Sequence, residues 1–516
     1  MPPPAILDES HGVRPAMNWL HTWLGIFFGG LLFVIFWTGT LAVFDREIDR
    51  WTMPMTRVAP SPMMELDALP KAINDRFPDA TLWWVDLPTD RVPAMETYVQ
   101  NADGSEDWGF THPATGEYLG APETKGGTGF FYRYHFTLHI NHFRIGLILC
   151  ALAALVMMIL CVSGLIIHKK LITDFFTFRA TSKPHRASLD AHNLSGVLAL
   201  PFHFIISFSG IALFGMMYVP AAQSTLFKSN PAEMGEGYYY REAAGTPGGE
   251  IAPLGPMFET ARQTWNGDEP KRVRVHNAGD ANAYVELQRS SDNSIAYRFD
   301  SIWFDAATGE TLYASENNVA TEFYHTISGL HLVQFRHLLL RWLYFIAGLA
   351  GCVLIATGFM FWVESRRKKY AKLNMPGIRF VEGMAVGSVT GVLIASLAFM
   401  IANRVLPLGL AGRDAIEVWA FHLVWIATFL HAFLRPGAAW REQCWVIAAG
   451  CLAAIALNGA TTGDWIPAAL ARGHIGVAGV DLFMLASAGV CVWTALKLGK
   501  RRAVRPTRAH LPEAAE

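Results

Sequence analysis

The stretch FYRYHFTLHINHFR, residues 131–144, returns as FYHTISGLHLVQFR at residues 323–336. The two copies place His139 opposite His331 at an offset of 331 − 139 = 192 residues, and a long apolar segment follows each copy. Self-similarity at a fixed offset indicates a structural unit that is present more than once. The sequence therefore predicts a duplicated unit with one histidine at the start of a membrane span in each copy.

The apolar segments that begin each unit repeat as well. His21 and Gly25 correspond to His192 and Gly196 at an offset of 192 − 21 = 171 residues. The triplet Thr-Gly-Glu also recurs at residues 115–117 and 308–310, where a glycine between extended segments predicts a hairpin turn. Each unit is thus predicted to consist of a helix, an extramembrane domain and a second helix.

The composition indicates a membrane protein. Of 516 residues, 52% are hydrophobic and 16% charged, and the mean hydropathy is +0.25. Eight segments are apolar over a length near the ~20 residues that cross a bilayer, although the seventh, around residues 445–457, is short enough to be tilted or re-entrant. The predicted fold is a mostly α polytopic membrane protein, with a four-helix core from the duplicated unit and about four further C-terminal helices.

The distribution of Lys and Arg predicts the topology. Basic residues cluster after the second, fourth, sixth and eighth spans, so these spans are expected to end in the cytoplasm. Both termini are then cytoplasmic, and two α+β domains lie in the periplasm of a bacterial inner membrane. The predicted segments are an N-terminus (1–18), TM1 (19–44), periplasmic domain 1 (45–141), TM2 (142–168), a loop (169–190), TM3 (191–219), periplasmic domain 2 (220–335), TM4 (336–363), a loop (364–379), a C-terminal bundle TM5–TM8 (380–498) and a tail (499–516).

The overall charge limits the partners. Lys and Arg number 42 against 43 Asp and Glu, which gives a net charge of −1. Such a chain has no basic excess with which to bind nucleic acid, so membrane lipid is the expected surrounding and nucleic acid is not an expected partner.

The repeated histidines predict haem. His21 and His192 lie at the inner starts of their spans, and His139 and His331 at the outer starts. Pairing equivalent residues about a pseudo-twofold axis gives one bis-imidazole site near each membrane surface, which suits two six-coordinate b-type haems. Gly25 and Gly196 lie one turn further along, and the missing side chain there would admit a flat macrocycle.

Two more histidines are candidate ligands. His203 lies deep in the third span, where an ionisable group is a functional hypothesis, and His168 lies at the inner end of the second span. We take His203 as the alternative ligand of the outer haem and His168 as the alternative ligand of the inner haem. The eleven residues from His192 to His203 correspond to a rise of ~16 Å in a straight helix. His135, His142, His325, His337, His422 and His431 have no repeated partner, which favours a helix-face or surface role for them.

Other cofactor motifs are missing from the sequence. It contains no phosphate-binding loop, no dinucleotide fingerprint and no Cys-His motif for covalently attached haem. A separate cytoplasmic flavoprotein or a membrane quinol is therefore the expected electron donor.

The sequence resembles the PepSY-associated transmembrane helix proteins of Gram-negative bacteria. The resemblance is carried by HKKLITDFFTFR at 168–179, DAHN at 190–193, LPFH at 200–203 and LRWLY at 340–344. It implies a four-helix core with PepSY-type periplasmic domains, in a group that includes haem-containing reductases of siderophore-bound iron. The histidines of the family map onto His21, His139, His192 and His331, with His168 and His203 in the neighbouring motifs.

The resulting hypothesis is a haem-containing membrane oxidoreductase, a ferric-chelate reductase, that passes electrons to a periplasmic ferric siderophore or another acceptor. A second possibility is a non-redox protein whose PepSY domains bind and regulate a periplasmic peptidase or uptake system. A transporter is disfavoured, because the first four spans carry almost no ionisable residues other than histidine.

Overall fold

The computed structural model describes residues 12–59, 62–168, 184–213, 215, 241–315, 317–373 and 377–503. Parts of several predicted segments lie outside the described residues: most of the N-terminus and of the loop after TM2, the end of TM3, the start of domain 2 and most of the tail. The described residues fall into two compact units. The first lies within Met1–Phe28, Ile35–Phe178 and Asp190–Leu354, and the second within Gly29–Val34, Arg179–Leu189 and Ile355–Glu516.

The first unit is built from the duplicated segments. Its long apolar helices carry exposed leucine, isoleucine and valine on their outer faces, as lipid-facing helices do. Three of its helices, α1, α6 and α10, also have residues in the second unit. The helices are α1 (Val13–Ala42), α2 (Asp45–Thr52), α3 (Leu69–Arg76), α4 (Arg133–Thr137), α5 (Ile145–Ile167), α6 (Pro184–Leu198), α7 (Leu200–Leu213), α8 (Leu254–Thr264), α9 (Val319–Leu332) and α10 (Leu338–Lys372).

The predicted third span is a bent pair of helices. The axes of α6 and α7 differ by 63° at the break between Leu198 and Leu200. Pro201 explains the break, because proline has no backbone N–H to donate and its ring clashes with the carbonyl four residues earlier. The straight-helix rise predicted between His192 and His203 therefore does not apply.

The two extramembrane segments share one antiparallel sheet of eight strands, in the order β4-β3-β2-β1-β5-β6-β7-β8. Each half contributes four consecutive strands, and β1 of the first half pairs with β5 of the second. The strands are β1 (Ala80–Asp86), β2 (Met95–Asn101), β3 (Glu106–Thr111), β4 (Tyr118–Gly120), β5 (Pro270–His276), β6 (Tyr284–Arg289), β7 (Ser301–Asp305) and β8 (Thr311–Ala314).

The pairing of β1 with β5 has the symmetry of the repeat. Ala80 and Pro270 begin the two strands at an offset of 190, and Trp84 lies directly opposite Arg274, its own equivalent at 84 + 190 = 274. A pseudo-twofold axis therefore passes between these two residues. One face of the sheet is apolar and packs against α3 and α8, with Val85, Val273 and others fully buried.

The predicted hairpin turns are present in both halves. Gly116 and Gly309 have φ values of +69° and +75°, a left-handed conformation that favours glycine. In the first half the backbone N–H of His112 donates to Glu117, and in the second that of Asp305 donates to Glu310. Each turn joins the third strand of its half to the fourth.

The second unit is a helical bundle of α11 (Gly377–Val405), α12 (Arg413–Leu434), α13 (Ala439–Thr462), the short α14 (Ile466–Ala471) and α15 (Ile475–Ala503). Gly383, Gly387 and Gly391 are one turn apart on α11, and a Cβ on any of them would lie within 2.5 Å of a side chain of α12. Such small residues let membrane helices approach closely. With 24 residues, α13 is long enough to span a membrane, so the seventh span is not shortened as its sequence suggested.

The described residues contain seven helices that are long and apolar enough to cross a membrane, and the bent α6–α7 pair makes an eighth if it is one span. This agrees with the eight segments predicted from the sequence.

Candidate histidine pairs in the membrane core

The first histidine pair joins α1 to α6. The ring centroids of His21 and His192 are 6.2 Å apart, and the rings are nearly perpendicular, at 87°. His21 Nδ1 lies 3.0 Å from the Ser163 hydroxyl of α5, and His192 Nδ1 lies 2.8 Å from the Leu354 carbonyl oxygen of α10. Since Ser163 donates its own proton to the Leu160 carbonyl, it accepts from His21. The repeat predicted this pair, and all four helices contribute to it.

The second pair consists of His135 on α4 and His331 on α9. Their ring centroids are 5.9 Å apart, and the rings are inclined by 28°. His135 Nδ1 lies 2.8 Å from the carbonyl oxygen of Ile35 on α1, and His331 Nδ1 lies 3.0 Å from that of Ile206 on α7. Because Ile35 and Ile206 are themselves related by the offset of 171, the two histidines make equivalent contacts in the two halves.

Glycines leave room for these rings. A Cβ on Gly39 would lie 2.6 Å from His135 Nδ1, and one on Gly210 would lie 2.8 Å from His331 Cε1. Real Cβ atoms do not approach so closely, so any other residue would displace the ring. The two glycines are equivalent residues of the repeat, because 39 + 171 = 210, so both halves leave the same space for an imidazole.

The second pair corrects the predicted partner of His331. His139, the predicted partner, lies beyond the end of α4, with its ring stacked on Phe130 at 5.1 Å and its Nε2 3.1 Å from the Phe130 carbonyl oxygen. His135, which was predicted to have only a helix-face role, stands against His331 instead.

The correction follows from where the two helices end. In the first half α4 ends at Thr137, and Leu138 is left-handed (φ 52°), whereas α9 continues through His331 to Leu332 before the left-handed Val333. Gly146 helps the first half to turn early, since it packs directly against the Thr137 carbonyl oxygen. The position at the same offset, 146 + 192 = 338, is a leucine. The Leu-His pair that the two copies share thus lies inside α9 in the second half but beyond the end of α4 in the first half.

The two alternative ligands lie apart from both pairs. His203 on α7 is fully buried against Phe36, with a ring-centroid distance of 5.5 Å. Its Nε2 lies 3.4 Å from the Ala347 carbonyl oxygen, and its Nδ1 has no hydrogen-bond partner among the described residues. His168 directly follows α5, within electrostatic reach of His21 and His192.

The two pairs fit axial ligation of a haem. Two imidazoles on opposite sides of one metal ion, each ~2 Å from it, have ring centres roughly 6 Å apart, which matches both observed separations. Nδ1 of every ring is hydrogen-bonded, and no hydrogen bond within the described ranges reaches any of the four Nε2 atoms. A bond at Nδ1 fixes the tautomer whose Nε2 lone pair can bind a metal. The four histidines would hold the iron of two haems, and the porphyrin would supply the remaining ligands of each iron.

Gly25 and Gly196, the glycines predicted to admit the flat macrocycle, differ in the space around them. A Cβ on Gly25 would meet nothing within 4 Å, whereas one on Gly196 would lie 3.2 Å from the Leu354 side chain. Open space therefore remains at Gly25 but not at Gly196.

Comparison with known proteins identifies the family. The model of the PepSY-associated transmembrane region matches residues 18–365. The chain belongs to this family. It is also similar to an uncharacterised protein of Pseudomonas aeruginosa, with 24% identity over 366 residues that cover 66% of this chain and 87% of the relative. Together with the long apolar helices, the match shows a multi-pass membrane protein.

The match to the PepSY-associated family contains the four paired histidines as well as His139, His168 and His203, and it ends within α10. The bundle from α11 to α15 is thus an addition to the part of the chain that the family shares.

In this PepSY-associated protein a buried ionic network joins α2 to a loop of the sheet and to α10. Glu47 on α2 lies 2.9 Å from Arg91, which belongs to the loop after β1, and 2.9 Å from Arg341 on α10. Burial opposes the ionisation of Glu47, but the two arginines together hold its pKa below the usual value. Glu47 thereby ties a membrane helix of the second half to the extramembrane part of the first.

Asp49, also on α2, caps a π-helical turn at Gly126–Tyr132 that leads into α4. Its carboxylate accepts from the backbone N–H groups of Gly127 and Thr128, at 2.8 and 3.1 Å. Burial raises the pKa of Asp49 to about 6, although Arg46 opposes the shift. The turn that positions His135 is therefore held by a carboxyl group that titrates near neutral pH.

Proposed function

We propose that this protein carries electrons across a bacterial inner membrane through two b-type haems and delivers them to a ferric chelate in the periplasm. One observation carries the proposal: two histidine pairs lie among the four long helices, and in each ring Nδ1 is hydrogen-bonded while no described residue forms a hydrogen bond with Nε2. His21 and Ile35, the α1 contacts of the two pairs, are 14 residues apart, which is ~21 Å along a helix. Two sites at that spacing suit transfer between membrane surfaces.

The residues around each pair have distinct roles in this proposal. His21 and His192 would hold one haem, and His135 and His331 the other. Bound haem would supply an iron that alternates between the ferric and ferrous states. Ser163 and the backbone carbonyls fix the orientation of each imidazole, so that neither oxidation state requires the ligands to move. Phe36 and His203 are buried against each other, and they would keep water out of the helix core.

The proposed direction is outward. Basic residues at the end of α10 (366–372) and at the end of α15 (497–502) favour a cytoplasmic location for these helix ends. The sheet and the second pair then face the periplasm, and the first pair faces a quinol or a cytoplasmic flavoprotein. One electron per ferric ion would release iron, because oxygen-donor chelators hold ferrous iron less tightly than ferric iron.

The test is the visible spectrum of the detergent-purified protein, oxidised and then reduced with dithionite. We expect a Soret band, sharp low-spin α and β bands on reduction, and two haems per chain by extraction. His21→Ala and His192→Ala should each remove the low-spin signature of one haem. A colourless protein after expression with ample haem would overturn the proposal and favour the non-redox regulatory alternative.

Reduction of the acceptor is tested separately. Dithionite-reduced protein, freed of excess reductant, is mixed with a ferric trihydroxamate in the presence of a ferrous-specific dye. We expect reoxidation of the Soret band in step with the appearance of the ferrous dye complex. Reoxidation by oxygen alone, with no ferrous dye complex, would mean that the acceptor is a different molecule.

A further inference from the structure

A polar cleft lies on the charged face of the extramembrane sheet, within the first unit. Its volume is about 590 Å³ including the open mouth. Its lining carries three positive and three negative side chains as well as the phenol of Tyr297: Arg46, Arg91 and Lys271 against Asp86, Glu96 and Asp292. Opposite charges are balanced in this lining, so the cleft does not select for a simple anion or a simple cation.

Most of these charges are already paired. Asp86 forms a two-point ion pair with Arg272, at 2.5 and 2.9 Å. Arg46 lies 3.8 Å from Glu96 and 3.9 Å from Asp49. These side chains are held in place by their ion pairs, and their charges are neutralised by other groups of the protein.

Lys271 and Asp292 differ from the rest. Neither side chain forms an ion pair or a hydrogen bond with another described residue, and Lys271 Nζ has only the ring face of Tyr297, at 5.9 Å. Burial raises the pKa of Asp292, although Lys271 opposes the shift. The backbone of Asp292 is nevertheless fixed, because its carbonyl accepts from the N–H of Arg336.

An unpaired ammonium and an unpaired carboxylate at one cleft are unusual, because a partly buried charge without a partner is unfavourable. They feel each other electrostatically but do not come within the 4.0 Å of an ion pair. A molecule that carries both charges can pair with both groups at once.

We propose that this cleft binds a small zwitterion, with its anionic group at Lys271 and its ammonium group at Asp292. Both side chains are partly exposed at the open cleft, so a small solute can reach them. The ammonium could belong to a free amino acid or to a larger amine-bearing compound, and the chemistry of recognition is the same. The proposal is independent of the electron transfer proposed above, because none of these residues belongs to a histidine pair.

The experiment is isothermal titration of the full-length protein in detergent with ω-amino acids of increasing chain length. Pentylamine and pentanoate, which each carry one charge, serve as matched probes. We expect at least one ω-amino acid to bind, and each single-charge probe to bind roughly tenfold more weakly or worse. An N-acetylated form of the best ligand should lose binding to the same extent.

Variants then assign the site. Lys271→Met and Asp292→Asn should each weaken binding of the best ω-amino acid by roughly tenfold or more. Lys71→Met and Asp75→Asn, in an exposed ion pair on α3, are matched controls and should bind like the wild type. Circular dichroism and gel filtration verify that all four variants fold. The proposal is overturned if no ω-amino acid binds, if the single-charge probes bind equally well, or if both cleft variants bind like the wild type.

Discussion

Each half of the first unit places a histidine against an isoleucine carbonyl of the preceding long helix, but the local structure that does so differs between the halves. In the second half α9 is a regular helix whose first turn is capped by Asn318, which accepts from the backbone N–H of Thr321 at 2.9 Å. In the first half a π-helical turn precedes α4, and its N–H groups are capped by Asp49 from another helix. Both routes bring an imidazole to the same place against the preceding long helix.

The difference teaches that the duplication preserved contacts rather than sequence register. Ile35 and Ile206 are equivalent at an offset of 171, yet the histidines that bind them are separated by 331 − 135 = 196 residues, not by the 192 of the matching letters. A histidine one helical turn away from the aligned position has taken over the contact in the first half.

The largest expected effect separates His135 from His139. His135→Ala should remove the low-spin spectrum of one haem and about half of the bound haem, because it deletes one of two axial ligands. His139→Ala should retain both haems, since its ring packs against Phe130. The pyridine haemochrome assay and the reduced spectrum measure both. The reverse result would restore the aligned pair, His139 with His331, as the ligand set.

A pair of glycine substitutions tests whether the two halves are equivalent where each imidazole packs against a glycine. Gly39→Val and Gly210→Val should each abolish one low-spin haem, because the new side chain occupies the space of the imidazole. Gly489→Val on α15 is the matched control, since a Cβ there would meet nothing within 4 Å. Spectra that stay unchanged in Gly39→Val but not in Gly210→Val would show that His135 is not a ligand.

The sequence of the second half has no counterpart of Glu47, the centre of the ionic network on α2. At the offset of 171, the position of Glu47 is taken by Tyr218. Glu47→Gln should destabilise the protein by about 3 kcal/mol, because it leaves two buried arginines short of a counter-charge. A fall of several degrees in the thermal midpoint, with less than a degree for the exposed Asp75→Asn, would agree. Equal midpoints for the two variants would argue against the network as a link between the halves.

The smallest effect concerns pH. Because the folded pKa of Asp49 is raised to about 6 from 3.8, the stability contributed by its neutral form is complete below pH 4 and is lost as the pH rises through about 6. The thermal midpoint of the wild type should therefore fall between pH 5 and pH 7.5, by the equivalent of about 1 kcal/mol. Asp49→Asn, which keeps a carbonyl oxygen for Gly127, should show a flatter profile. Parallel profiles for the two proteins would assign the pH dependence to other groups.

The sequence predicted much of this architecture because apolar length, the Thr-Gly-Glu turns and the doubled motif are local signals. The turns at Gly116 and Gly309 and the proximity of His21 to His192 followed directly from the repeat. The single sheet did not follow, since the pairing of Trp84 with Arg274 joins strands 190 residues apart and has no local signature.

The second histidine pair could not be predicted from the offset alone. The aligned copies match at His139 and His331, but which histidine of the first half reaches His331 depends on where α4 and α9 end. That depends on Gly146 in one half and on Leu338 in the other. A clue was available in the spacing, because His135 lies four residues, one turn, before the aligned histidine.

The junction between β1 and β5 also constrains how the protein is made. Strand β1 leaves the ribosome 190 residues before its partner β5, which at ~5–20 residues per second is a delay of roughly 10–40 s. During that time the inner edge of the first half-sheet is an unpaired strand, the kind of edge that promotes aggregation. The chain must insert α5 and the bent α6–α7 pair before this edge is covered, so assembly of the sheet depends on correct membrane insertion, and slow translation or failed insertion would expose it to chaperones and proteases.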